Sequence, residues 1–475
     1  MRLTFQSLPA GVCGSLFNLC PPWYTTSMTK TFRIISIGTT AVAAAVFCLW
    51  AVRRSMEPSW ELLTALCSLC LFTIPLIAAL CRLTHPEQAS LSIVPKKDSL
   101  REKLTMWGVL IGFGVAVSLA EFVLVYLLAK PGSDFLPSFQ ELYYRSDVGH
   151  YMWIARNRYV AEGPDRLRLV FLPLYPMTIR LFAGKGDLFL GAFLASQIFS
   201  LACLPSAYEL FRLDRDRKSA AACARILYLL PGAAFLRVPM SEALFLFLTL
   251  NAVYQARKKR YLAASILAAL SALTRSLGIL LLALIGIEML LDFLFAYRQD
   301  KRQAWRMVPG FLGCLAVGCT GTLVYLLIND YCTGSPFTFL TYQRENWNQG
   351  LGLFFNTTAY QTEYALSFWK AKDLEELFSL SLPNLLCCFG ALGLLCYDRK
   401  RMRLSYLAWM LLYYALSVGA TWLLSGPRYL AMLFPLALSI QRLTKTKAGD
   451  LITETALFAI QTGYLLMLAL DMSVY

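Results

Sequence analysis

Apolar runs of about twenty residues, the length that crosses a hydrocarbon core, recur along this chain from end to end. Short connections between them carry most of the lysines and arginines. This alternation admits few folds, because such runs leave no polar face to turn toward water. The chain is 57% hydrophobic and only 15% charged, against about a quarter charged in soluble domains. The sequence therefore reads as an all-α polytopic membrane protein with about 11–13 transmembrane helices. Candidate limits are 32–52, 60–82, 105–129, 186–211, 219–237, 240–256, 261–275, 277–297, 307–328, 379–397, 404–424, 427–441 and 451–471.

Basic clusters at Arg212–Lys218, Arg257–Arg260, Arg298–Arg306, Arg399–Arg403 and Arg442–Lys447 are each two spans apart, so all fall on one side. Arg82, Lys96, Lys97, Arg101 and Lys103 join them, and the positive-inside rule makes that side cytoplasmic. Arg53-Arg54 is the exception. The formal charge of +15 is thus topological and lipid-directed, not a nucleic-acid footprint. The 14 cysteines are scattered among apolar runs, and there are only two histidines, His85 and His150. No zinc spacing exists, so neither a metal site nor another cofactor is expected. The first 31 residues lack a cleavable signal pattern, Met28 offers a second start, and Thr31–Val52 reads as a retained span.

With the basic loops inside, the loops 130–185 and 329–378 and the turns Pro239–Glu242 and Ser425–Tyr429 lie outside. One polar island stands out there: Glu141–Pro176, which mixes acids, bases and aromatics. Its first part, Gln140–Ala161, has helix-forming composition, with Tyr144, Asp147 or Val148, and Tyr151 on one face. An amphipathic helix in the interface plane would put Asp147 at headgroup level. Asp147 reads either as a solvated carboxylate paired with Arg145, or as a general base. In the second case aromatic burial raises its pKa and Arg145 lowers it.

Other polar residues gather on the same side. Glu242 opens a span as a helix N-terminal acid or as a hydrogen-bond acceptor for substrate hydroxyls. Arg275, in LTRSLG, and Arg428, in SGPRYL, are guanidinium groups at membrane edges, suited to snorkelling, ion pairing or phosphate binding. Gln343, Arg344, Trp347 and Gln349 combine amides with an aromatic, which suits sugar recognition or an interfacial belt. Asn356-Thr357-Thr358 is a glycosylation sequon if the source is eukaryotic. No Walker or Rossmann glycine loop appears, in keeping with a donor held in the membrane.

The run Arg145-Ser-Asp147-x3-Tyr151-x2-Ile154-Ala155-x3-Tyr159, followed by Phe171-Leu-Pro-Leu-Tyr-Pro176, resembles the first outer loop of PIG-V-type mannosyltransferases. There the pattern is approximately R-W-D-x3-Y-x2-IA-x2-GY, then FFPLYP. That family includes the second mannosyltransferase of GPI-anchor synthesis and many bacterial proteins, within the GT-C superfamily of polytopic glycosyltransferases. The resemblance spans roughly residues 105–445, with Ser146 in place of the Trp, Asn157-Arg158 where glycine is common, and Leu172 for the second Phe.

The resemblance implies a GT-C-like helical bundle over 105–475, with 130–185 as catalytic outer loop, 329–378 as second outer loop, and 1–104 as an N-terminal extension with two spans. It implies a polyprenyl- or dolichyl-phosphate mannose donor and a glycolipid or glycan acceptor. Asp147 would be the catalytic group, with Arg145, His150, Tyr151, Tyr175, Glu242, Arg275, Gln343, Trp347 and Arg428 binding substrate. The departures and the extra spans point to a bacterial plasma membrane, or to endoplasmic reticulum if the source is eukaryotic. The competing class is a lipid or lipid-linked sugar transporter built around Glu242, Arg275 and Arg428.

Overall fold

A computed structural model describes residues 22–54, 59–84, 98–129, 135–421, 423, 425–444 and 446–474. His85 and the Lys96-Lys97 pair lie outside the described residues. The helices run α1 (Pro22–Arg53), α2 (Trp60–Thr84), α3 (Leu100–Ala129), α4 (Phe135–Tyr143), α5 (Val148–Asn157), α6 (Leu174–Ala183) and α7 (Leu188–Phe211). They continue with α8 (Arg217–Leu229), α9 (Glu242–Arg257), α10 (Tyr261–Thr274), α11 (Leu281–Gln299), α12 (Lys301–Thr333), α13 (Thr338–Trp347) and α14 (Phe354–Ala371). The last are α15 (Leu374–Glu376), α16 (Leu382–Asp398), α17 (Leu404–Val418), α18 (Gly426–Leu430), α19 (Pro435–Thr444) and α20 (Lys447–Ala469). Among the described residues the only β-pairing is an isolated bridge, Leu351 to Ala420. The chain is an all-α polytopic membrane protein, with eight helical stretches among the described residues long and apolar enough to span a bilayer. α10 and α17 are shorter apolar helices, and α8 and α9 are buried inside the bundle.

The basic loops meet at one end. Arg212 binds Asp98 (2.9 Å), Arg257 binds Asp214 (2.6 Å), Arg403 binds Glu288 (2.6 Å), and Arg442 binds Asp398. Arg82, at the end of α2, donates to the Met402 carbonyl (2.7 Å). Arg257 thus reaches the 212–218 segment, Arg82 and Arg442 reach the 398–403 segment, and the pKa of Asp98 is held at about 2 by the Arg212 guanidinium.

Two features shape the opposite end. Pro231 cannot continue α8, so the chain turns through a buried 3₁₀ segment, Pro231–Leu236, before α9. Its freed carbonyls find partners: the Gln461 amide of α20 donates to Tyr228 and Leu230 (3.0 and 2.9 Å), and Arg237 donates to Ala233 (2.9 Å). Arg237 is itself paired with Glu121 of α3 at 2.8 Å, both wholly buried. Second, the stretch 329–378, expected as a loop, is helical over α13 and α14. α14 packs along α2 through Thr64–Thr362 (2.9 Å), Ser68–Thr358 (2.9 Å) and Phe72–Phe354 (4.5 Å between rings). The sequon belongs to this seam, with Asn356 accepting from the Trp50 indole (3.2 Å) and both threonines buried. It offers no exposed acceptor.

Candidate active site

The helix expected over Gln140–Ala161 is two helices. Arg145–Asp147 breaks it because Ser146 is left-handed (φ 52°), which turns the chain and restarts it at Val148. Asp147 becomes the residue before α5, yet its side chain makes no cap bond to the helix. The carboxylate is thus free to reach elsewhere while the positive end of α5 favours its charge. Nor does α5 lie against lipid: Val148, Tyr151, Ile154 and Ala155 are buried within the protein, against α6 and α7.

Asp147 reaches Arg428, not Arg145. The Arg428 Nη2 donates to Asp147 Oδ2 at 2.7 Å, while its Nε donates to Glu242 Oε1. Arg145 turns away to the far terminus, donating to the Ala469 carbonyl (3.3 Å) and lying 3.8 Å from Asp471. Arg275 donates to the same Glu242 oxygen and to Ser241 Oγ (3.2 Å), and Ser241 shares a hydrogen bond with the Tyr151 hydroxyl (2.9 Å). Two carboxylates and two guanidinium groups therefore form one continuous cluster. Rings fix the cations from below: Phe235 lies under Arg428 (5.2 Å) and Tyr429 under Arg275 (5.3 Å).

Local structure explains the convergence. Arg428 follows Pro427 at the start of α18, and Gly232 of the 3₁₀ turn lies against that segment so closely that a Cβ there would be 1.8 Å from the Pro427 carbonyl oxygen. Arg275 ends α10 in extended conformation, which swings its side chain toward the start of α9. Glu242 opens α9 and is wholly buried. Its second oxygen, Oε2, is buried with no hydrogen-bond partner among the described residues. Such an orphan acceptor costs about 1–3 kcal/mol unless a donor fills it.

The electrostatics follow. Burial works against ionisation of Asp147, but the Arg428 guanidinium outweighs it and holds the carboxyl below its ordinary value. Burial holds the His150 imidazole below its usual pKa, partly opposed by Asp147. The Tyr151 phenol is pushed up by burial and stays protonated.

Of the other residues expected in the site, His150 stacks on Phe171 (4.6 Å, 18°) and meets the edge of Trp347 (6.1 Å), so Trp347 does close over this corner. Tyr175 is wholly buried and bonds Ser196 (2.7 Å), holding α6 to α7 rather than facing open space. Gln343 offers its main-chain carbonyl to the Gln349 N–H (3.1 Å). A separate groove of about 480 Å³ runs between Glu162–Arg166 and the Cys332–Tyr342 region. Phe235 and Arg168 were missed by sequence reasoning. Ser241, expected near the helix cap beside Glu242, makes no side-chain cap bond and instead meets Arg275 and Tyr151.

The Asp147 cluster lies at one end of a stretch with known relatives. Residues 139–347 match the family model described as Mannosyltransferase (PIG-V). The match holds Asp147, Glu242 and Arg275; Arg428 lies beyond it. Over 147 residues, 28% of the chain, it is 30% identical to a Rattus norvegicus protein named GPI alpha-1,6-mannosyltransferase 2. The Mus musculus protein of that name is 29% identical over the same length. The alignment covers 29% of each relative, so the chain spans under a third of the length of these curated PIG-V relatives. No solved structure matches.

Proposed function

We propose that this chain is a membrane mannosyltransferase that takes its sugar from a polyprenyl- or dolichyl-phosphate donor and inverts the anomeric centre. It acts at the end of the bundle opposite the basic loops, lumenal or periplasmic, on a glycolipid or glycan acceptor. The observation that carries this reading is Arg428, shared between Asp147 (2.7 Å) and Glu242. Asp147 accepts the proton of the acceptor hydroxyl as its oxygen attacks the anomeric carbon. The bond from that carbon to the phosphate oxygen breaks, and the lipid phosphate leaves with the electron pair. Arg428 and Arg275 stabilise the developing charge, while Glu242 Oε2 takes a hydrogen bond from a sugar hydroxyl. A phosphate at Arg428 also draws the guanidinium from Asp147, which makes the carboxylate more basic when the donor is in place.

Membranes containing the protein, supplied with labelled lipid-phosphate mannose, should form a new mannosylated product of inverted anomeric configuration. Asp147→Asn should abolish transfer with normal insertion; near-normal transfer removes Asp147 from its role. Movement of intact lipid across the bilayer without bond cleavage replaces the enzyme with a transporter.

A further inference from the structure

We infer that Arg168 locks His150 as a neutral imidazole protonated at Nε2, making His150 a standing hydrogen-bond donor beside Asp147 and not a second base. Arg168 Nη1 lies 2.7 Å from His150 Nδ1. A guanidinium has hydrogens on every nitrogen and no acceptor, so at this distance Nδ1 must present its lone pair. The ring's proton is then on Nε2. A doubly protonated ring would place two N–H groups head to head, and the arginine charge would repel the imidazolium.

Arg168 is not free to move aside. Its Nε donates to Asp165 Oδ1 at 2.8 Å, and its guanidinium lies 4.9 Å over the Trp153 ring. The imidazole is clamped in turn by Phe171 on its face and Trp347 at its edge. The charged groups facing His150 are Asp147 at the start of α5 and Asp165 and Arg168 of the 3₁₀ segment Pro164–Val170; from α13 it meets only the uncharged Trp347 ring. The His150 main-chain N–H donates to the Asp147 main-chain carbonyl (3.1 Å), so the ring belongs to the same turn as the carboxylate. Arg168 is a positioning residue. That the Nε2–H meets an oxygen of the sugar or its phosphate rests on the transferase reading; the tautomer does not.

The two-histidine composition makes this measurable. In full-length His85→Gln protein labelled with ¹⁵N-histidine, imidazole NMR reports His150 alone. We expect one protonated and one bare nitrogen, with protonation assigned to Nε2, unchanged between about pH 5 and 8. Arg168→Lys should keep that pattern because an ammonium still donates to Nδ1. In Arg168→Leu the ring loses that donor and should exchange between its two tautomers, while burial still holds its titration below the ordinary value of about 6.5. Titration of the unsubstituted ring near that value, or a proton on Nδ1, overturns the inference whether or not any transfer is detected. With transfer in hand, Arg168→Leu should add an acid limb below that pH to the kcat/KM profile. A uniform loss at every pH would instead mark Arg168 as merely structural.

Discussion

Arg428 bonds two carboxylates that lie 281 and 186 positions before it in sequence, and it does so with two different nitrogens. A planar guanidinium spans both carboxylates; an ammonium on a flexible stem meets one. Arg428→Lys should therefore lower transfer by about 10²–10³-fold, measured as kcat with lipid-phosphate mannose. Arg428→Met leaves Asp147 without its ion-pair partner and Glu242 with Arg275 alone, and should cost about 3–5 kcal/mol of stability, read as a fall in Tm in detergent. The pH dependence has a definite sign. Asp147 is held below its ordinary value, so its stabilising contribution is present above the unfolded pKa of about 3.9 and is lost as pH falls through the lower folded value. The acid limb of kcat/KM should accordingly lie below the ordinary carboxylate range, and a limb above it would contradict the Arg428 pairing. Asp147 itself was legible because a carboxylate in an aromatic, proline-punctuated stretch is unusual in so apolar a chain. Its partner was not. Arg145 is two residues away, and only the left-handed turn at Ser146 sends it to the opposite side.

At the scale of elements, apolar run length located the long apolar helices, since a bilayer-spanning segment must satisfy its backbone internally. It did not reveal what happens where a helix breaks. The turn after α8 depends on Arg237, Glu121 and Gln461, three polar residues inside runs read simply as spans. Glu121→Leu leaves Arg237 as a lone buried cation. We expect a large drop in Tm, about 3–5 kcal/mol. Arg237→Met added to it should recover part of the loss, because the unpaired charge is gone although the carbonyl of Ala233 still lacks its donor. Equal stability of single and double variants would show that the pair contributes little. Run length also left unseen the helices within the stretch 329–378, where Thr358 and Thr362 face the hydroxyls of Ser68 and Thr64 across a helical seam.

The whole molecule separates its charges by purpose. At one end, basic loops are tied to carboxylates on neighbouring helices; at the other, a compact cluster of two acids and two arginines surrounds an unfilled Glu242 oxygen. The regular spacing of basic loops made that polarity readable, though not the pairings. Burial of the sequon at this scale yields a simple check. Expressed in eukaryotic cells, the protein should show no mobility shift on endoglycosidase treatment at Asn356, and Asn356→Gln should migrate identically.

The α2–α14 seam carries a further consequence for how the protein is made. α2 leaves the ribosome nearly three hundred residues before α14 and is apolar enough to settle in lipid alone. α14, with Asn356, Gln361, Glu363 and Lys370 among its residues, has no such independence. The hydroxyls of Thr64 and Ser68 are therefore made long before Thr362 and Thr358, the partners that meet them in the folded protein.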